Sequence, residues 1–355
     1  MGGKNGWRKA LSVILSVVLV CTMTIMHSKE TQAASGTPFA THGRLSVSGT
    51  KLVDAGGQVY QLRGVSTFNL AWYPQYYTKA SFQSLRDDWG ANAVRIVMYP
   101  HEYNGYCTVS ESQQASYRAS LLQAIKDAYD LGMYAIIDWH ILSDGNPNKN
   151  KSQAKKFFTT MAKKYKNNKN VIYEICNEPN GCSWKEIKSY ATDIIKTIRK
   201  YDKKAVIIVG TPTWSQLGTD GTSNEVADSP IKGYKNIMYS LHFYASEWAH
   251  NEYLPAKVAY ARKKKLPILV SEFGLSPASG DGAINKASAD KWMKLLNKYN
   301  ISYFCWSLSN KNESASLLKP STKKTSGWKS GDLSTAGKYI KKKYLARKKA
   351  LGKKA

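Results

Sequence analysis

Short apolar, β-rich runs recur along the chain, and each is followed by a stretch in which apolar residues return every three or four positions. The runs fall at 61–66 (QLRGVS), 93–98 (AVRIVM), 133–138 (MYAIID), 171–176 (VIYEIC), 205–209 (AVIIV), 237–242 (IMYSLH), 267–272 (PILVSE) and 302–307 (SYFCWS). They are close to continuously apolar, which suits parallel strands covered on both faces. Intervening segments such as 115–131 (ASYRASLLQAIKDAYDL) and 184–200 (WKEIKSYATDIIKTIRK) carry the helical period. Eight strand–helix alternations predict an α/β fold, a (β/α)8 TIM barrel. A doubly wound open sheet is the competing architecture, but no glycine-rich phosphate turn follows the first strand. Residues 44–60 (RLSVSGTKLVDAGGQVY) alternate and contain a Gly-Gly turn, predicting a small N-terminal β-hairpin ahead of the barrel. With no repeat of fixed period and no Pro/Ser-rich linker, one barrel domain is expected over 44–340, after a short segment at 35–43.

The first 34 residues follow a different pattern. Lys4, Arg8 and Lys9 form a positive region, Leu11 to Met26 an apolar one, and Thr31-Gln32-Ala33-Ala34-Ser35 a run of small residues. This reads as a signal peptide over 1–34 and hence a secreted, extracellular protein, with a retained membrane anchor as the alternative. Its removal would take away Lys4, Arg8, Lys9, Lys29 and Glu30, lowering the net charge from +27 to about +24. Cys107, Cys176, Cys182 and Cys305 would remain. In an oxidising compartment four cysteines allow three complete pairings. Cys176 and Cys305 sit in apolar runs and read as free buried thiols, whereas Cys107 and Cys182, in loops, are the better candidates for a disulfide.

Composition narrows the chemistry further. Ten Trp and 23 Tyr supply many flat, half-polar faces, the kind that suits a sugar polymer. No C-x-x-C, H-E-x-x-H, G-x-S-x-G or phosphate-loop spacing occurs, so neither a metal nor another cofactor is expected. The basic excess peaks at 338–355 (KYIKKKYLARKKALGKKA), with nine Lys or Arg and no acid. Residues 341–355 are expected to form a basic C-terminal tail, a solvated final helix with a frayed end. Non-specific contact with anionic surfaces is the alternative. No aromatic–basic module accompanies the charge, so no specific nucleic-acid partner is expected, and a monomer is.

In a barrel, functional groups belong at the C-terminal ends of the strands. There the chain offers Arg95, then Asp138-Trp139-His140, Asn177-Glu178-Pro179, His242-Phe243-Tyr244, Ser271-Glu272-Phe273-Gly274 and Trp306. A glutamate at the end of an apolar strand is costly to desolvate and needs a reason. Two carboxyls roughly 5 Å apart are the arrangement of retaining glycoside hydrolysis. His42, His101 and His250 read as surface or loop residues without a role.

The residues LRGVST (62–67), WGANAVRIVMY (89–99), GMYAIIDWHILSDGNPN (132–148), VIYEICNEPNG (171–181), MYSLHFYA (238–245), ILVSEFG (268–274) and WSLSNKNES (306–314) carry a family resemblance. The chain resembles glycoside hydrolase family 5, and within it the bacterial endo-β-1,4-glucanases (cellulases), from about 42 to 340. The resemblance implies a retaining endo-glucanase acting on cellulose or related β-glucan polysaccharide, with Glu178 as general acid/base and Glu272 as nucleophile. It further implies that Asn177 bonds the sugar 2-hydroxyl, that Arg95 and Tyr244 hold Glu272 as a carboxylate, and that His140 and His242 shape the cleft. Trp306 would floor the cleavage point, Trp72, Tyr99 and Trp214 would stack on neighbouring glucose faces, and Lys311 and Glu313 would bond a glucose on the non-reducing side. Phe68-Asn69, Phe273, Asn310 and Asn312 depart from the residues commonest in that family. Mixed-linkage glucan, xyloglucan or mannan as substrate, and a catalytically silent sugar- or wall-binding protein on the same barrel, are the competing expectations.

Overall fold

A computed structural model describes residues 35–352; the expected signal peptide at 1–34 lies outside them. Two short antiparallel strands come first, β1 (Ser46–Ser48) and β2 (Lys51–Val53). They turn at Gly49-Thr50, with Gly49 at φ +56°, rather than at the Gly-Gly pair expected. Gly56-Gly57 forms the next turn instead, closed by Asp54, whose carboxylate accepts from the backbone N–H groups of Gly56 and Gln58.

The eight expected barrel strands follow as β3 (Arg63–Thr67), β4 (Ala93–Met98), β5 (Tyr134–Trp139), β6 (Val171–Glu174), β7 (Ile207–Val209), β8 (Ile237–Tyr244), β9 (Ile268–Gly274) and β10 (Tyr303–Leu308). All neighbours pair in parallel, and β10 closes on β3. The longer helices are α1 (Lys79–Trp89), α2 (Glu111–Asp130), α3 (Lys151–Tyr165), α4 (Trp184–Arg199), α5 (Trp248–Lys263), α6 (Lys286–Tyr299) and α7 (Thr335–Gly352). Local chemistry sets their starts. Ser183 and Glu186 form a reciprocal capping box at α4, and the Thr78 hydroxyl accepts from Ser81 N–H at α1.

Period-two alternation sorts the strand residues into two apolar clusters. Val94, Ile96, Ala135, Ile137, Tyr173, Ile207, Val270 and Cys305 pack outward beneath the helices. Ala93, Tyr134, Ile136, Ile172, Ile208, Met238, Leu269 and Phe304 fill the lower barrel. Gly64 belongs to this layer, since a Cβ there would lie 2.0 Å from the Phe304 ring. The barrel is therefore plugged from below, and its polar residues are confined to the layer above.

The structure corrects the expected tail. Residues 341–352 continue α7, and its inner face packs on the barrel. Tyr344 is fully buried, its ring 5.5 Å from that of Tyr303 and its hydroxyl donating to Gly64 O at 2.6 Å. Arg347 donates to Gln61 Oε1 at 2.9 Å and Asn300 Oδ1 at 3.0 Å. Only the opposite, lysine-bearing face is solvated. Deleting 341–355 should therefore lower Tm by on the order of 10 °C, since it strips a buried tyrosine and its neighbours from the core. Calorimetry reading an unchanged Tm would restore the solvated tail. All four cysteines at 107, 176, 182 and 305 are free thiols, so the disulfide expected between Cys107 and Cys182 is not formed.

Candidate active site

Above the apolar plug the strands turn charged side chains inward. Arg95 does not end its strand, as the sequence suggested, but lies in the middle of β4 and is fully buried. Its guanidinium organises the layer. Nε donates to Glu174 Oε2 at 2.7 Å, one terminal nitrogen to Glu272 Oε2 at 2.9 Å, and the other to Asn177 Oδ1 at 2.6 Å, with Asp138 Oδ2 at an ion-pair distance of 3.0 Å from that last nitrogen.

Glu272 reaches this layer through an irregularity. Along β9 simple alternation would send Leu269 and Ser271 inward and Glu272 out. The β8–β9 register shifts between the pairs Ser240↔Leu269 and His242↔Glu272, which adds one residue to β9 and re-aims Glu272 into the barrel. There its second oxygen accepts from the Tyr244 hydroxyl at 2.8 Å. Glu178, just beyond β6, accepts from His242 Nδ1 at 2.8 Å, and His242 Nε2 meets the Ser271 hydroxyl at 2.8 Å.

Carboxylate oxygens of Glu178 and Glu272 and a nitrogen of His242 all lie within 4.8 Å of one another. This trio is also where a cation would find three ligand atoms, but it would displace the His242 proton from Glu178 and face the Arg95 charge behind Glu272. Burial lowers the His242 pKa, but the Glu174 and Glu178 carboxylates and the charge of Glu272 outweigh it and hold the value up at about 9. His140 is the contrast, with burial and then Arg95 pulling it well below the ordinary imidazole value. It stays neutral, Nδ1 2.6 Å from Asp138 Oδ2 and Nε2 3.2 Å from the Asn177 amide nitrogen.

A cleft of about 440 Å³ opens over the pair. Of the residues expected from sequence it brings together Tyr99, His140, Glu178, Trp214, His242, Tyr244, Glu272, Trp306, Lys311 and Glu313. Trp306 stacks on His140 at 5.0 Å and 13°, making a flat floor. Trp214 is exposed at the cleft edge in a run of left-handed residues, Thr213, Trp214 and Ser215 at φ 56°, 54° and 63°. Backbone held in that region costs of order 1–3 kcal/mol per residue, as is common at binding sites. Lys311 pairs with Glu313 at 2.5 Å, and Glu313 keeps one buried oxygen without a hydrogen-bond partner, an acceptor open to a ligand hydroxyl.

Three expected residues lie elsewhere. Arg95 is beneath the cleft. Asn177 is fully buried beside it, with its amide hydrogens directed at Ile141 O and His140, so it braces the layer rather than lining the cleft. Trp72 stands outside the central cleft, its ring 5.7 Å from those of Phe68 and Tyr99. Sequence reasoning gave no place in the lining to Phe68, Leu142, Gln216, Glu247 and His250, and passed over Glu174 below it; Asp138 and Ser271, named at their strand ends without a role, also lie below. His250 is not a surface residue. It is buried, accepting from Tyr244 N–H at 2.9 Å and meeting Gln216 at 3.1 Å. Asp138 and Glu174 carry the signal that marked Glu272, an acid inside an apolar strand.

A family model described as cellulase (glycosyl hydrolase family 5) matches residues 53–312. An endoglucanase of Clostridium saccharobutylicum is 42% identical over 340 residues, covering 95% of this chain and 72% of its own length. Endoglucanase 5 of Pectobacterium carotovorum subsp. carotovorum is 41% identical over 343 residues, covering 96% and 65%. The chain thus spans about two thirds to three quarters of these relatives. The catalytic domain of Thermobifida fusca endoglucanase Cel5A superposes with a TM-score of 0.82 at 37% identity, over 87% of this chain and 100% of that one, and has been solved in complex with cellotetraose.

Proposed function

The chain belongs to glycosyl hydrolase family 5 and is an endo-1,4-β-glucanase, and from that premise we propose that it is secreted and cuts internal β-1,4 bonds with retention of configuration, Glu178 serving as acid then base and Glu272 as nucleophile. The hydrolase assignment sets aside a silent binding protein. The observation that carries the reading is the approach of the two carboxylates to within 4.8 Å, each gripped by its own cation. An approach this close supports the roughly 5–5.5 Å separation of retaining enzymes over the roughly 6.5–9.5 Å that admits an interposed water.

The steps follow from the positions. In its protonated form Glu178 gives its proton to the glycosidic oxygen as a Glu272 oxygen bonds to the anomeric carbon, and the leaving chain departs with the bonding pair and that proton. The sugar stays covalently bound to Glu272 while a water enters. Glu178 takes a proton from the water, whose oxygen displaces Glu272 and restores the original anomer. Arg95 and Tyr244 keep one Glu272 oxygen aimed at the sugar by holding both through hydrogen bonds. Trp306 offers the sugar a flat apolar face, and the Lys311–Glu313 pair offers hydroxyl partners on one side.

Proton NMR of the first-formed reducing ends on soluble β-glucan should show the β-anomer before mutarotation; an initial α-anomer would overturn the mechanism. Secretion rests on residues 1–34, and the protein recovered from the medium should begin near Ser35 by N-terminal sequencing. A cell-bound chain that still carries Met1 would indicate an anchor.

A further inference from the structure

We propose that Glu174, which neither lines the cleft nor touches substrate, is the positioning residue that ties the two catalytic carboxylates into one arrangement, gripping Arg95 on one side and opposing His242 on the other. This rests on the roles given above to Glu178 and Glu272.

Glu174 is the last residue of β6, paired in register with Asp138 of β5 and Ile208 of β7, and is fully buried. Oε2 accepts from Arg95 Nε at 2.7 Å, and the same guanidinium holds Glu272 at 2.9 Å. Oε1 has no hydrogen-bond partner and lies 3.9 Å from His242 Nε2, an ion-pair distance. His242 in turn holds Glu178 at 2.8 Å. A contact chain therefore runs Glu272–Arg95–Glu174–His242–Glu178, and Glu174 is the member common to both arms.

An orphaned buried carboxylate oxygen is costly, and an ion pair is a poor way to gain stability alone. What it supplies here is placement. The charged and titratable groups facing this point are Arg95 from β4, His242 from β8 and Glu272 from β9, with Glu178 above, and Asp138 from β5, whose pKa burial raises well above the ordinary carboxylate value. His140 is neutral and Tyr244 keeps its proton, burial raising its pKa well above the ordinary value. Burial opposes charge on Glu174, yet Arg95 and His242 hold its pKa down at about 2. Glu174 is thus a fixed negative charge across the working range, and it is one of the three acids that keep His242 charged.

The test is Glu174→Gln, which preserves size and removes the charge, read with Glu174→Asp, which preserves the charge. In the wild type the His242 imidazole should titrate near 9 by proton–nitrogen NMR, and in Glu174→Gln it should fall toward the ordinary 6.5. Turnover of Glu174→Gln should drop on the order of 100-fold with KM little changed, as expected when reacting groups shift by about 1 Å. Glu174→Asp should keep the high His242 titration and recover part of the turnover. An unmoved titration with near wild-type kcat in Glu174→Gln would overturn the proposal. Should that variant not fold, a wild-type His242 titrating near 6.5 overturns it equally and one near 9 supports it. The NMR readout is independent of which glutamates act, so failure of the Glu178 and Glu272 roles would appear separately, as activity surviving their own replacement.

Discussion

Glu272→Gln is expected to abolish turnover, with a loss of about 10⁴-fold or more, the scale reached when a covalent catalyst loses its nucleophile. The geometry explains why binding should survive. The glutamine carbonyl can take the Arg95 hydrogen bond that Glu272 Oε2 accepts now, while its amide faces the Tyr244 hydroxyl, which can accept as well as donate. The cleft floor of Trp306 and the Lys311–Glu313 pair lie outside that exchange. Affinity gel electrophoresis in soluble β-glucan should therefore show near wild-type retardation of an inactive protein. A loss of only a few-fold in rate would remove Glu272 from the nucleophile's role.

Glu178→Gln should separate two kinds of substrate. Proton donation by a positioned acid contributes about 10²–10⁴-fold, and hydrolysis of β-glucan, whose leaving group is a poorly acidic sugar hydroxyl, should fall by that much. Aryl cellobiosides with acidic phenol leaving groups need little protonation, so formation of their glycosyl-enzyme should be far less affected and a burst of phenol should appear. His242 Nδ1 can still donate to the glutamine carbonyl, so the imidazole should keep its place. Equal damage to both substrates would mean that Glu178 is not the proton donor.

The barrel was legible because all eight strands are buried on both faces and so read as apolar runs. The catalytic pair was legible for the converse reason, that a carboxylate within such a run is conspicuous. By the same reasoning Glu174 stood in plain view in VIYE, but attention to strand ends passed over an acid one layer down, and Asp138 was named at its strand end without a role. Arg95 was misplaced for the same reason. Other features have no local signature. The shifted β9 register depends on which strand β9 pairs with, and His250 is buried against Gln216, 34 residues away in the chain, as well as against its near neighbour Tyr244. The packing of helix α7 on the barrel was hidden by composition. Ile340, Tyr344 and Arg347 recur at helical spacing on its inner face, but the lysines between them set the average.

Barrel closure also dictates the order in which a growing chain can become safe. Arg63 of β3 pairs with Tyr303 of β10, 240 residues later. Until β10 emerges from the ribosome, β3 has a neighbour on one side only, and its other side presents free backbone donors and acceptors. The most recently made strand does the same at the far margin. Such margins template pairing with other chains, and contacts so distant in sequence form slowly. Once β10 has joined the two margins, α7 lies over the seam, with Tyr344 bonded to the Gly64 carbonyl of β3. A product terminated before β10 is therefore an open, adhesive sheet that carries both catalytic glutamates and should go to aggregates or proteases rather than to work as a weaker enzyme.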